Sequence, residues 1–106
     1  MSACTRTPKP AIPDEHTATQ VAELFRAFSD ASRVRIIAAL AAGELNVAAL
    51  AEAVGISESG ISHHLRGLRQ MRLVRTHKVG RQVFYALEDE HIADLFRFGL
   101  DHVQHG

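Results

Sequence analysis

A mainly helical chain with one small β-hairpin is the fold class this sequence predicts. Three observations carry that expectation: apolar residues recur at helical spacing in successive short segments, capping residues and glycines punctuate them, and one late stretch alternates about a central glycine. At 106 residues the chain is the size of one small domain.

The first 16 residues are polar and contain Pro8, Pro10 and Pro13, so a flexible tail is expected over residues 1–16 and a folded domain over 17–106. Val21, Leu24, Phe25 and Phe28 predict a first amphipathic helix from about Thr17 to Phe28. Asp30 can cap a second, with Val34, Ile37, Ala38 and Ala41 on one face and a stop near Gly43. Asn46 can cap a short third helix bearing Val47, Leu50, Ala51 and Val54, which Gly55 ends. The link from Gly55 to Glu58 leads into a fourth helix with Ile61, Leu65 and Leu68 inward. Strands are predicted at Leu73–His77 and Arg81–Leu87, separated by Lys78, Val79 and Gly80, with Val83, Tyr85 and Leu87 alternating against Gln82, Phe84 and Ala86. A final helix is expected from Asp89 to Val103. Its apolar surface (Ile92, Leu95, Phe96, Phe98, Gly99) is wide enough to pack on a second chain as well as on its own core. Two short helices on a tight turn followed by a hairpin make a winged helix-turn-helix.

Composition narrows the function. No apolar run resembles a signal peptide or a membrane span, and the single cysteine, Cys4, cannot close an internal disulfide, so a cytoplasmic location is expected with no membrane partner. Net charge is zero, yet six of the twelve lysines and arginines (Arg66, Arg69, Arg72, Arg75, Lys78, Arg81) stand in Ser59–Leu87, which has no acid. Glu88, Asp89, Glu90, Asp94 and Asp101 follow it. One surface suits phosphates while another does something different.

With Ile61, Leu65 and Leu68 turned inward, Ser59, Ser62, His63, Arg66 and Arg69 remain on outward faces. Short polar groups near the start of that helix suit base edges. The arginines beyond, with Lys78 and Arg81 at the hairpin tip, suit phosphate or minor-groove contacts. Such charges can also merely solvate a surface, but the fold pattern and the missing acids together favour double-stranded DNA.

The stretch from Leu24 to Leu87 resembles the ArsR/SmtB family of repressors. Leu24-Phe25-Arg26-Ala27-Phe28-Ser29-Asp30-Ala31-Ser32-Arg33, Ile61-Ser62-His63-His64-Leu65, Leu68, Leu73-Val74 and Gly80-Arg81-Gln82-Val83-Phe84-Tyr85-Ala86-Leu87 carry the likeness. One departure is Asp30-Ala31-Ser32-Arg33 where the family often has Asp-Pro-Thr-Arg; it still offers a cap. The resemblance implies a homodimer built through the first and last helices, an imperfect inverted-repeat operator, and release by an inducer.

The seven histidines divide into two groups. His63 and His64 fall in the DNA-reading segment, His77 beside the hairpin tip and His16 in the tail, all ordinary polar positions. His91, His102 and His105 share the last helix. At about 100° per residue they form one stripe within roughly 60° of arc, yet His91 and His102 lie roughly 16 Å apart along the axis. One chain cannot bring them to a single ion. An antiparallel partner helix would bring His91 and Asp89 of the other chain to His102 and His105, giving two sites about the dimer axis. Three imidazoles and a carboxylate suit Zn(II), with Co(II) a mimic and Ni(II) possible if further ligands such as Cys4 or His16 join.

The resembled family has a metal-sensing branch with the pattern Asp-X-His, ten residues, His-X-X-His or Glu on its final helix. Asp89, His91, His102 and His105 match it. A second family site, with cysteine and aspartate on the third helix, is lacking in Glu44-Leu45-Asn46-Val47-Ala48-Ala49-Leu50, which argues against thiophilic ions. The expected function is a repressor that binds its operator metal-free and is released by zinc. The alternatives are a metal-independent winged-helix regulator and a protein-interaction module. A zinc enzyme is disfavoured, because four protein ligands would close the shell and no nucleophile and base pair is evident.

Overall fold

A computed structural model of the chain describes residues 11–106. Its elements run α1 (Glu15–Ala27), α2 (Ala31–Ala41), α3 (Val47–Val54), α4 (Glu58–Gln70), β1 (Val74–Val79), β2 (Gln82–Leu87) and α5 (Glu90–His105). Five helices and one antiparallel hairpin make the winged helix-turn-helix.

Each helix starts where a short polar side chain takes up an amide that lacks an intrahelical partner. Asp14, Asp30, Asn46, Ser57 and Asp89 accept from the backbone N–H groups of Thr17, Arg33, Ala49, Gly60 and His91. Asp14 starts α1 two residues ahead of the expected Thr17, so His16 lies in the first turn of a helix and not in a tail. Hydrogen bonds from the Thr17 backbone and side chain hold the Asp14 carboxyl below the usual carboxylate range.

The core is built round α2. Ile36, Ile37 and Leu40 are buried against Leu50 and Val54 of α3, Ile61, Leu65 and Leu68 of α4, Leu73 and Val74 at the hairpin entry, and Ile92 of α5. The single face expected on α2 is therefore wrong in part: Val34, Ala38 and Ala41 are only half buried, while Ile36 and Leu40 are inside. The reason is that α2 is covered from several sides at once, by α3, α5 and β2.

The hairpin pairs Val74 with Leu87 through Val79 with Gln82. Its loop is Gly80-Arg81 and not Lys78-Val79-Gly80, and Gly80 takes φ +61°, a conformation in which side chains with a Cβ are strained. The expected alternation holds only loosely. Val83 near the tip is exposed and Ala86 near the base is buried, because α2 and α5 cover the base and the tip projects into solvent. Leu45, in the α2–α3 link, adds an isolated bridge to β2: its N–H donates to the Tyr85 carbonyl at 3.1 Å, and the Tyr85 N–H returns the bond at 2.8 Å.

Helix α4 ends in a Schellman turn, with the Leu73 N–H on the Leu68 carbonyl at 2.9 Å and the Arg72 N–H on the Arg69 carbonyl at 3.0 Å. The left-handed position, φ +60°, is occupied by Arg72, where glycine is usual. Arg72→Gly is expected to raise stability by about 0.5–1 kcal/mol by relieving that backbone strain, seen as a higher urea midpoint at unchanged m.

Candidate DNA-reading surface and metal-ligating helix

The N-cap Ser57, whose Oγ takes the Gly60 N–H at 3.0 Å, fixes where α4 begins and hence which side chains its outer face carries. Ser59, Ser62, His63, Arg66 and Arg69 are all exposed on it, and Lys78 and Arg81 are exposed on the hairpin. Ser62, Arg66, Arg69, Gln70 and Tyr85 line a groove between α4 and the wing. The sequence treated His63 and His64 alike, but α4 separates them. His63 points outward, whereas His64 is partly buried with Nε2 3.9 Å from the Asp30 carboxylate at the start of α2.

The wing is pinned to the rest of the fold by contacts that no sequence pattern announced. Beside the Leu45–Tyr85 bridge, the His77 Nδ1–H donates to Glu44 Oε1 at 2.9 Å and the Asn46 amide donates to Gln82 Oε1 at 3.1 Å. Glu44 and Asn46 flank Leu45, so three successive residues of the link fasten the hairpin and set the position of Lys78 and Arg81 relative to α4.

The second candidate site is spread along α5. At its start, Asp89 Oδ1 accepts the His91 N–H at 2.9 Å and lies 3.3 Å from His91 Nδ1. Oδ2 takes part in neither contact. At its end, His105 Nδ1 lies 2.9 Å from Asp101 Oδ1 and 3.2 Å from the Asp101 carbonyl oxygen. His91, His102 and His105 are exposed, and α5 extends to His105 and not to Val103 as expected, which keeps both distal histidines on helical geometry. Among the described residues of one chain, no three metal-ligating side chains come together. The helix length explains this: the pairs sit at opposite ends of 16 residues. Chemically the set of three imidazoles and a carboxylate fits a borderline divalent ion, provided ligands from two ends can meet.

Apolar side chains along α5 are uncovered. Phe98 is 74 % and Val103 80 % exposed, and Phe25 of α1 is 53 % exposed. Phe28, Val34, Leu95, Phe96, Gly99, Leu100 and Val103 line an apolar groove of about 350 Å³ where α1, α2 and α5 meet. The radius of gyration, 17.0 Å, also exceeds the about 13 Å expected of a compact domain of this length. Of α1, only Leu24 and Ala27, with the C-cap Phe28, reach the core.

The fold and these two surfaces define a winged-helix DNA-binding regulator. Residues 30–76 match the bacterial regulatory proteins of the arsR family. Over 96 residues the chain is 47 % identical to the transcriptional repressor SmtB homolog of Synechocystis, covering 91 % of this chain and 73 % of that one. It is 40 % identical over 98 residues to the HTH-type transcriptional regulator NmtR of Mycobacterium tuberculosis, covering 92 % and 82 %. The solution structure of apo-NmtR superposes with a TM-score of 0.76 at 39 % identity over 95 % of this chain and 85 % of that one. The homodimeric winged helix-turn-helix domain Mb0332 of Mycobacterium bovis gives 0.75 at 29 % identity, covering 92 % and 96 %. The chain belongs to the ArsR/SmtB family and is a transcriptional repressor of the metal-sensing type, among relatives that are regulators and not enzymes. No helix among the described residues is long and apolar enough to cross a membrane.

Proposed function

We propose that the protein is a cytoplasmic homodimeric repressor that binds an inverted-repeat operator in its metal-free form and releases it when Zn(II) is bound at two sites between the protomers. The observation that carries this reading is the placement of four donors at the two ends of one helix whose apolar side chains stand uncovered, Phe98 between those ends and Val103 beside the distal pair. A second copy laid antiparallel on these side chains would bury them and bring the two ends of the two helices together. Asp89 and His91 of one protomer with His102 and His105 of the other would hold a borderline divalent ion, which would supply a cross-link between protomers.

Co(II) fits the same tetrahedral set. Ni(II) would need a larger shell. His16 is exposed in the first turn of α1 and is available for it; Cys4, the other candidate, lies outside the described residues. In this reading one winged-helix domain begins at the Asp14 cap in place of Thr17; of the tail expected over residues 1–16, residues 1–10 lie outside the described residues. Ser59, Ser62 and His63 read base edges from α4, while Arg66, Arg69, Lys78 and Arg81 meet phosphates.

Operator binding measured in chelator and then with added zinc, cobalt and nickel tests the whole reading. Binding that is equal in all four identifies a metal-independent regulator, and negligible DNA binding in all four an interaction module. Arg66→Ala and Arg81→Ala are each expected to weaken binding and to lower the magnitude of the slope of log K against log salt by about 2, one phosphate contact being lost in each half-site of the dimer. Ser62→Ala is expected to change preference among operator sequences at an unchanged slope. Arginine variants with unaltered affinity and slope would remove α4 and the wing tip from the interface.

A further inference from the structure

We propose that Asp101 is a positioning residue of the metal centre, holding His105 in the tautomer that offers Nε2 to the ion. This inference rests on the sensor reading above. It adds a fifth side chain that is itself no ligand.

His105 Nδ1 faces Asp101 Oδ1 at 2.9 Å and the Asp101 carbonyl oxygen at 3.2 Å. An ionised carboxylate and a carbonyl can only accept, so the atom between them must carry the hydrogen. A neutral imidazole has one N–H, which leaves the lone pair on Nε2. Histidines that bind metal characteristically give their other N–H to a carboxylate or a backbone carbonyl, and His105 has both within its own helix. The spacing is i, i+4, so the pair shares one stripe of α5 and is set whenever that helix is formed. A rival reading makes the pair an ordinary surface ion pair. Both side chains are more than 70 % exposed, and in that setting such a pair adds little to stability. A surface pair of this kind would leave metal affinity unchanged.

Three full-length proteins decide the matter: wild type, Asp101→Ala and Asp101→Asn. Long-range nitrogen–proton NMR of the imidazoles, on metal-free protein and above the pH at which they protonate, should show the Nδ1–H form at His105 in the wild type. In Asp101→Ala it should shift toward the Nε2–H form. Zinc affinity, measured by competition with a chromophoric chelator, should fall about 10- to 100-fold in Asp101→Ala. Asp101→Asn keeps an accepting oxygen and should recover most of that loss. If Asp101 were instead a direct ligand, asparagine would be as damaging as alanine. The metal-free oligomeric state and operator affinity should match wild type in both variants, which separates positioning from support of the fold. Unchanged zinc affinity in Asp101→Ala, against a wild type that binds zinc, overturns the role of Asp101 alone. Wild type that binds no zinc overturns the sensor reading and takes this role with it.

Discussion

Zinc is expected to weaken operator binding by the wild-type dimer about 5- to 150-fold, and His102→Ala is expected to abolish that response while leaving metal-free operator affinity nearly intact. The size follows from the usual range of coupling between two sites, about 1–3 kcal/mol. The direction is the release by an inducer that the family resemblance implies, and location sets the route. Asp89 caps α5 and His91, His102 and His105 lie on it, whereas the basic surface lies on α4 and the wing, so an ion held by these residues would not block the groove. Release then requires that the pair of ligand sets on α5 hold the ion more tightly when the two α4 helices are poorly spaced for the operator. A ligand with equal affinity for both arrangements shifts nothing. Linkage adds a check, since operator DNA must weaken zinc binding by the same factor. Zinc that tightens operator binding would reverse the sign. Loss of metal-free DNA binding in His102→Ala would make that residue structural and withdraw the sensor role.

The choice of variant at Asp89 follows from the structure. Its Oδ1 caps α5 through the His91 N–H, so Asp89→Ala is expected to cost about 1 kcal/mol of stability besides any effect on metal. Asp89→Asn keeps the cap and removes the charge. It should silence the zinc response without loosening the helix, and comparison of the two variants separates the ligand's role from the cap's.

The second large effect is expected from mixed dimers. A His91→Ala homodimer and a His102→Ala homodimer should each lose both tight zinc sites. Co-expressed, they form a heterodimer in which one site lacks both histidines and the other keeps its complete set. Equal amounts that pair at random give heterodimers in about half of the molecules, so roughly a quarter of the wild-type number of tight sites should return. Recovery in a mixture of two dead proteins has no explanation within a single chain, where the two ends of α5 are separated by its length. Absence of recovery, or a homodimer variant that binds as tightly as wild type, would sink the cross-protomer arrangement.

Much of this protein was legible before any tertiary structure. Caps and helical periods are local signals, and Asp30, Asn46, Gly55 and the period of Ile61, Leu65 and Leu68 placed three helices within a few residues. The spacing of His91, His102 and His105 on one helix needed only its rise and turn to show that a single chain cannot unite them. The pairing of Asp101 with His105 is also an i, i+4 relation and was open to the same reasoning.

What the tertiary structure decided is whatever depends on residues distant in sequence. The bridge from Leu45 to Tyr85, the His77–Glu44 contact and the Asn46–Gln82 bond join positions more than thirty residues apart, and none has a sequence period to announce it. The same holds for which faces are inside. Helix α2 buries Ile36 and Leu40 as well as Ile37 because neighbours enclose it, and His64 turns toward Asp30 while His63 faces out. A period fixes which residues share a face. How many faces are covered is fixed by packing, because burial depends on the neighbours a helix meets and not on the helix alone.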